Sequence, residues 1–546
     1  MNVWYLLTAI GSAAGMTLAA RLLLHYFQLE SYQFYGYFRT LGRQWKKALL
    51  PGLLLAVVSL AAMLGLSLLF ANADLQGLVN LLMGLTAAGV GYLLHRRAVR
   101  TPQKKKFVLT ARMKRLYILL AAVSLLMMLV PFLLGGAGAV NHEAIPGKVI
   151  LAMAFYLLPM ALLPCVVALA ALLALPIEKT INRMYMRDAQ RRMDAQRGLI
   201  RIGITGSYGK TSVKNILYTI LSQKYNVLST PASFNTPMGL TRVIRERLEP
   251  AHQIFLAEMG ARHRQDIKEL TDFIHPTIGV LTSVGPQHLD TFKTLQNIID
   301  TKYDLIRALP ADGLAVFSDD GGICAELYDK TQGVPKRIVN RQGGDAWAEE
   351  IQVTAQGSSF KLCFSDGEKV SCQTRMLGSH NISNILLACA VARHLGLSAA
   401  QIQRGIGQLQ PVEHRLQLLP SAGGVTVIDD AFNSNPSGAR AALDVLSRFP
   451  GRRIIVTPGM VELGEKEAEF NREFGREMAS AADVCVLIGR RHTQPIQEGL
   501  LAAGYPAADI HAFSSLNEAT GWLSGFMRAG DFILYENDLP DHYSEN

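Results

Sequence analysis

Five apolar stretches, at roughly residues 3–24, 49–70, 75–94, 116–134 and 149–175, crowd into the first third of this chain. Each is near the ~20 residues that a membrane-spanning helix needs. In hydrocarbon a backbone must satisfy its own hydrogen bonds, so segments of this kind fold as helices. The loops between them alternate in charge. Residues 21–48 carry Arg21, Arg39, Arg43, Lys46 and Lys47, and 95–115 carry Arg96, Arg97, Arg100, Lys104, Lys105, Lys106, Arg112, Lys114 and Arg115. The segments 71–74 and 135–148 hold one lysine between them. Positive loops stay inside, which predicts an amino terminus outside and everything after residue 176 in the cytoplasm, where ATP is available. The first stretch lacks the basic leader region of a cleaved signal peptide and reads as an uncleaved span.

Charge divides along the same line. Residues 1–201 hold 22 Lys+Arg against 6 Asp+Glu, while the chain as a whole is only +10, so the remainder is acidic. The basicity therefore reads as topology and lipid-headgroup contact, and nucleic acid is not expected as a partner. Six cysteines (165, 324, 363, 372, 389 and 485) show no C-x-x-C spacing and sit mostly in apolar surroundings, as small core residues in a reducing compartment do.

A charged, helix-prone connector over 177–198 follows the last apolar stretch. Beyond it, short apolar strands alternate with helical patterns at 199–205, 254–257, 277–282, 313–317, 425–428, 453–457 and 484–488, which predicts α/β layers on a mainly parallel sheet. The domain reading is a transmembrane segment over 1–176, the connector, an ATP-binding central domain over 199–410, and a C-terminal domain over 411–546. The boundary falls near Gln410-Pro411.

The strand at Leu199–Thr205 runs into Gly206-Ser207-Tyr208-Gly209-Lys210-Thr211-Ser212, after which Val213, Ile216, Leu217, Ile220 and Leu221 mark one apolar helix face. A glycine-rich loop between strand and helix turns successive N–H groups toward a phosphate; here Lys210 would reach the terminal phosphates and the Thr211 hydroxyl a magnesium ion. The spacing departs from the strict phosphate-loop pattern, because the first glycine is Gly203 and position 204 is Ile. In doubly wound sheets ligands bind beyond the carboxyl ends of strands, which gives weight to Glu258 and His288 at strand ends and to Lys302 on a following helix.

These residues, in this order, resemble the Mur ligases, the ATP-dependent amide-forming enzymes of cell-wall precursor assembly. The resemblance runs from about 199 to 535. It rests on Thr205–Lys214, Asn235-Thr236-Pro237-Met238-Gly239, Glu258-Met259-Gly260, His288-Leu289-Asp290, Lys302, Gly378–Asn384, His414-Arg415, Asp429–Pro436 and Gly459-Met460-Val461-Glu462-Leu463-Gly464. It implies a phosphate-loop central domain and a Rossmann-like C-terminal domain behind the α-helical membrane segment. It also implies ATP and two magnesium ions as cofactors, and transfer of the γ-phosphoryl group to a carboxylate to make an acyl phosphate that an amine then attacks.

By the same resemblance Lys210 holds the phosphates, with Gly206, Ser207, Gly209, Thr211 and Ser212 in the cradle. Thr211 and Glu258 take the first metal. His288 and a carbamylated Lys302 take the second. Asn235 orients substrate, His380, Asn381 and Asn384 form the adenine site, and Arg415 and Asp430 close over ATP from the C-terminal domain about a hinge near residue 411. The implied setting is a bacterial cytoplasmic membrane, with the catalytic domains on its inner side.

Two departures bear on substrate. Cytoplasmic members of the family carry a UDP-recognising domain where this chain has apolar helices, which points to a lipid-linked carboxylate acceptor or to a purely anchoring role for the helices. Near the carboxyl end, a basic, small-residue loop is replaced by Glu536, Asp538 and Asp541, which is expected to favour the ammonium end of an incoming amino acid or dipeptide. A poly-γ-glutamate-type polymer synthetase is the alternative within the class. A membrane transport ATPase is the alternative outside it, and leaves Glu258, His288 and Lys302 without a task.

Overall fold

The structure, a computed structural model, describes residues 3–69, 75–101, 106–135, 146–231, 234–354, 357–420, 422–432 and 434–538. Most of the two loops with a single lysine, 71–74 and 135–148, together with Lys104, Lys105 and Asp541, lies outside the described residues. The chain divides into two compact units, residues 1–183 and 184–546.

The first unit is helical: α1 (Val3–Ala19), α2 (Arg21–Leu29), α3 (Phe34–Arg43), α4 (Trp45–Leu69), α5 (Gln76–Arg100), α6 (Ala111–Gly135), α7 (Pro146–Ala161) and most of α8 (Leu163–Asp194). Four of the described helices are long and apolar enough to cross a membrane, and a fifth span results if α1 and α2, bent by 42°, count as one. The apolar stretch expected at 149–175 is broken into α7 and α8. The connector, read from sequence as a separate element, is instead the continuation of α8, because no glycine interrupts it before Gly198 and Pro176 is accommodated inside the helix. Small residues let α1 approach α5 closely, and a Cβ on Gly11 would lie 2.5 Å from the Gly84 carbonyl oxygen. Glu178 is buried in this unit and accepts from Nε and Nη2 of Arg115, at 2.6 and 2.8 Å.

The second unit holds two sheets. Strands β1 (Ile200–Thr205), β2 (Val227–Ser229), β3 (Ile254–Glu258), β4 (Ile278–Leu281), β5 (Leu314–Ser318), β6 (Lys336–Val339), β7 (Ala346–Thr354), β8 (Gly357–Phe364) and β9 (Lys369–Thr374) order as β2-β3-β1-β4-β5-β6-β7-β8-β9. This sheet is parallel up to the β6–β7 pair, and the β7–β8 and β8–β9 pairs are antiparallel. Helices α9 (Lys210–Leu221), α10 (Pro237–Arg247), α11 (Asp266–Ile274), α12 (Leu289–Phe292), α13 (Leu295–Arg307), α14 (Ile323–Lys330), α15 (Ser379–His394) and α16 (Ala399–Gly407) accompany it. The apolar face expected after the glycine loop is the buried face of α9, packed with the Ile382–Ala392 run of α15.

The second sheet contains β10 (Gln417–Pro420), β11 (Thr426–Asp430), β12 (Arg453–Thr457), β13 (Val484–Ile488), β14 (Ile510–Phe513) and β15 (Phe532–Glu536), ordered β10-β11-β15-β12-β13-β14 and parallel except for β10. Its helices are α17 (Pro436–Ser447), α18 (Glu467–Ala481), α19 (Gln494–Ala502) and α20 (Leu516–Phe526).

Register decides where chemistry falls. Ile204 pairs with Glu258 and Thr205 with Leu281, so β1, β3 and β4 end side by side and present the glycine loop, the Glu258 carboxylate and the 282–288 segment at one edge. In the second sheet Asp430 pairs with Glu536 at the corresponding ends.

Candidate active site

The glycine loop is clamped by its neighbours. Ser207 N–H donates to the Ser283 carbonyl at 2.7 Å, and its hydroxyl donates to the Gly285 carbonyl at 2.8 Å. Ser207, expected to face the nucleotide, therefore has both groups engaged in holding the loop to the end of β4. A Cβ at Gly206 would lie 2.0 Å from Thr282 Oγ1, and one at Gly209, where φ is +78°, would lie 2.6 Å from Asn384 Oδ1. Both positions require glycine. Ser212 sits, buried, in the first turn of α9.

Lys210 Nζ donates to the carbonyl oxygens of Gly206 (2.8 Å) and Ser207 (3.3 Å). Burial pulls this ammonium down to about 8, against the upward pull of Glu258. Lys302 reaches the same Gly206 oxygen from α13, at 2.9 Å, and is fully buried. Loss of hydration, with Lys210 beside it, lowers its affinity for a proton far below that of an ordinary lysine.

Glu258 is the node of the site. Its buried carboxylate accepts from the Thr211 hydroxyl (3.1 and 3.2 Å), Asn235 Nδ2 (3.1 Å) and Lys214 Nζ (3.0 Å). Lys214 is itself 1% exposed, so this is a buried ion pair. Thr211 and Glu258 supply hard oxygen donors of the type magnesium takes, and they fit such an ion. His288 and unmodified Lys302 offer only a ring nitrogen and an amine. Among the described residues no group of three or more His, Cys, Asp or Glu gathers as a metal centre.

Residues around the second sheet and at the start of α15 complete the surroundings. Between α16 and β10, His414 and Leu416 take left-handed φ values of +58° and +46°. Asp429 accepts from His414 Nδ1 (2.7 Å) and Asp430 from Leu416 N–H (3.2 Å), which straps this segment to the end of β11. The Arg415 guanidinium lies over the Phe432 ring at 4.5 Å, within electrostatic reach of Asp430 and Glu258. Burial raises the Asp430 carboxyl to about 6, with Arg415 pulling the other way. His380 stands at the start of α15, its pKa lowered by burial to about 4. Asn381 Nδ2 is engaged by the Leu377 carbonyl (2.8 Å), and Asn384 lies against Gly209.

His288 Nδ1 hydrogen-bonds the carboxylate of Glu462 from the loop after β12. Glu536, read from sequence as a charge that greets the amine, is instead buried. It accepts from Thr457 Oγ1 (2.7 Å) and from the Ser434 hydroxyl, and burial pushes its carboxyl up to about 7.

Residues 204–392 match the Mur ligase middle domain, and residues 414–535 match the Mur ligase glutamate ligase domain. The chain belongs to the Mur ligase family. It is 32% identical over 358 residues to the UDP-N-acetylmuramoyl-tripeptide–D-alanyl-D-alanine ligase of Mycobacterium bovis, a match covering 62% of this chain and 70% of that one. Among solved structures it is similar to MurF from Acinetobacter baumannii, with a TM-score of 0.61, 26% identity, and coverage of 67% of this chain and 78% of that one. It also shares its fold with MurF from Thermotoga maritima, solved in complex with ADP (TM-score 0.59, 24% identity, 65% and 80% covered). Mur ligases join a carboxylate to an amine with ATP, and this chain is an ATP-dependent ligase of that type.

Sequence reasoning assigned no task to Lys214 or Glu462. The available signal for Lys214 was a lysine one turn after Lys210, on a helix whose neighbouring positions are core. For Glu462 the signal was only its place in a glycine-bounded segment.

Proposed function

We propose that this chain is a membrane-embedded ligase that activates a cell-envelope carboxylate as an acyl phosphate and condenses it with an amino acid or a D-Ala-D-Ala-like dipeptide. The observation that carries the reading is the convergence of Thr211, Lys214 and Asn235 on the buried Glu258 carboxylate beside Lys210 and Lys302. The acceptor carboxylate oxygen attacks the γ-phosphorus, the bond to the bridging oxygen breaks, and ADP leaves. The amine nitrogen then attacks the acyl carbon, phosphate departs, and the nitrogen loses a proton.

Thr211 and Glu258 would hold one magnesium ion and His288 with Lys302 the other, and such ions would supply positive charge opposite the transferred phosphoryl group. Lys302, buried and without an acidic partner among the described residues, would carry a carbamate: its neutral nitrogen would bond to the carbon of CO2 and release one proton, which would supply the oxygen ligands that an amine lacks. Asn235 orients the acceptor, Lys210 steadies the β- and γ-phosphates, and Arg415 approaches from the C-terminal domain. His380, Asn381 and Asn384 receive the base, and Asp430 the ribose.

The helices of residues 1–183 lie outside the two matched domains and include spans long and apolar enough to cross a membrane, which supports an acceptor that is lipid-linked and reached from the inner face of a bacterial cytoplasmic membrane. The test is full-length protein in nanodiscs with ATP, magnesium, D-Ala-D-Ala or single amino acids, and either UDP-muramoyl tripeptide or a lipid-linked extract. Products are followed by mass spectrometry. A new amide made only from the lipid-linked acceptor is the expected result. Phosphate release with no amide under every pairing would falsify the ligase reading.

A further inference from the structure

At the basic end of the helical unit two arginines share one acid. Arg112 and Arg115 lie one turn apart in α6, where the basic segment 95–115 gives way to the apolar stretch at 116–134, and Glu178 follows Pro176 on α8, where the last apolar stretch ends. In a spanning bundle such a boundary lies at the depth of lipid headgroups. Arg115 fills the Glu178 carboxylate: Nε donates to Oε1 at 2.6 Å and Nη2 to Oε2 at 2.8 Å. Arg112 stands 3.8 Å from the same carboxylate, and its guanidinium makes no hydrogen bond among the described residues. The other acid among the described residues of this unit, Glu30, faces Arg39 at 3.9 Å and accepts from the Thr40 hydroxyl at 2.7 Å. Two cations and one anion therefore leave a net positive charge on arginine side chains that are 34% and 36% exposed.

The surplus arginine is held in place. Its guanidinium lies over the Tyr32 ring at 4.0 Å. Tyr32 is presented by two successive left-handed residues, Ser31 (φ +52°) and Tyr32 itself (φ +62°), and its N–H donates to the Phe27 carbonyl at 2.8 Å. The segment that leads into α6 is tied to α2, because Gln28 Nε2 donates to the Val108 carbonyl (2.7 Å) while Gln28 Oε1 accepts from Val108 N–H (3.0 Å). Thr110 Oγ1 accepts from Met113 N–H at 3.2 Å and meets the Tyr32 hydroxyl at 3.4 Å. Stacking occupies the face of a guanidinium and leaves its edge open, the N–H fork that matches phosphate oxygens. A structural ion pair is already complete in Arg115 and Glu178, so Arg112 is not needed for it. We propose that Arg112, with Arg115 beside it, grips the phosphate of an anionic lipid headgroup at the inner face of the membrane. Arg112, Arg115 and Glu178 together carry a single positive charge, which suits a singly charged phosphodiester. The site rests on the membrane-embedded reading of the helices and is independent of the ligase chemistry.

The experiment titrates the full-length protein in detergent with short-chain phosphatidylglycerol, read by native mass spectrometry, on wild type, Arg112→Ala, Arg112→Lys, Tyr32→Ala and, as a control for charge alone, Arg100→Ala from the same basic segment. Neither Arg112 nor Tyr32 opens the Arg115–Glu178 pair when replaced. Wild type is expected to retain a single phosphatidylglycerol molecule more tightly than diacylglycerol, and inorganic phosphate to displace it only weakly. Arg112→Ala weakens that binding about 10-fold or more, the scale of a lost charge-assisted hydrogen bond. Arg112→Lys and Tyr32→Ala lose less, and Arg100→Ala leaves it unchanged. Equal losses in Arg112→Ala and Arg100→Ala mean diffuse attraction and overturn the site. Inorganic phosphate bound as tightly as phosphatidylglycerol overturns the lipid as the ligand. Alkaline-carbonate extraction of wild-type membranes separates the two readings. Protein released to the supernatant overturns the membrane reading and the headgroup site with it, whereas protein retained in the membrane, with phosphatidylglycerol affinity indifferent to Arg112→Ala, overturns the site alone.

Discussion

Lys210, at the start of α9, and Lys302, on α13, direct their Nζ atoms to one oxygen, the carbonyl of Gly206, at 2.8 and 2.9 Å. Two ammonium groups at one carbonyl repel each other, and among the described residues neither makes an ion pair, although Glu258 attracts Lys210 from farther off. The pair is stable as one ammonium and one neutral amine, or as two cations around an anion. On the reading proposed above, the first state is the one from which a carbamate would form, and the second suits the phosphates of ATP.

Removing CO2 from the buffer should therefore slow amide formation by the wild-type chain, and added bicarbonate should restore it. Lys302→Ala is expected to fall about 10²–10³-fold, the scale of losing one charge stabiliser at a transition state, and to ignore bicarbonate. A variant of Lys302 with wild-type rate removes that residue from the chemistry.

The Lys214–Glu258 pair sets a stability prediction. Lys214→Met leaves a buried carboxylate without its cation and should destabilise the second unit by about 3–5 kcal/mol, whereas Lys214→Met with Glu258→Gln should recover much of that loss. Thermal unfolding of the full-length protein in detergent reads both. Equal midpoints for wild type and Lys214→Met count against a buried ion pair.

Glu536 titrates near 7 in the fold against 4.5 when unfolded, so the folded state holds its proton more tightly. The stability from burying the neutral acid is fully present below about pH 4.5 and is lost as pH rises through about 7, a change of about 3 kcal/mol. Glu536→Gln, which cannot ionise, should raise the unfolding midpoint at pH 8 and change it little at pH 5. A gain of the same size at both pH values points to packing instead of ionisation.

Gly209→Ala should weaken ADP binding by at least about tenfold, since the backbone there sits at φ +78° and the new Cβ meets Asn384 Oδ1. Calorimetric titration with ADP measures it. Unchanged affinity means that the loop relaxes without cost.

Strands that end at the site were legible because they are buried on both faces and read as unbroken apolar runs. The expected 453–457 and 484–488 coincide with β12 and β13. The meander β7–β8–β9 was not read. Its first strand is intermediate or exposed at every position after Ala346, so it shows no apolar run, and a register shift falls between Glu349 and Gln352. Lys302 and Glu258 stood out as charges in apolar surroundings. Glu462 did not, because its meaning depends on a residue 174 positions away, and no local pattern encodes a contact between two sheets. Glu536 was misjudged for the opposite reason: three acidic residues in a row of six suggest solvent, yet the strand period turns the first of them inward onto Thr457 and Ser434.

The approach of Asn384 to Gly209 leaves a wall one side chain thick between the start of α15 and the glycine loop. On the reading proposed above, in which Asn384 meets the base and the loop the phosphates, a change at Asn384 would also reshape the loop at Gly209, so base preference and catalytic rate would shift together.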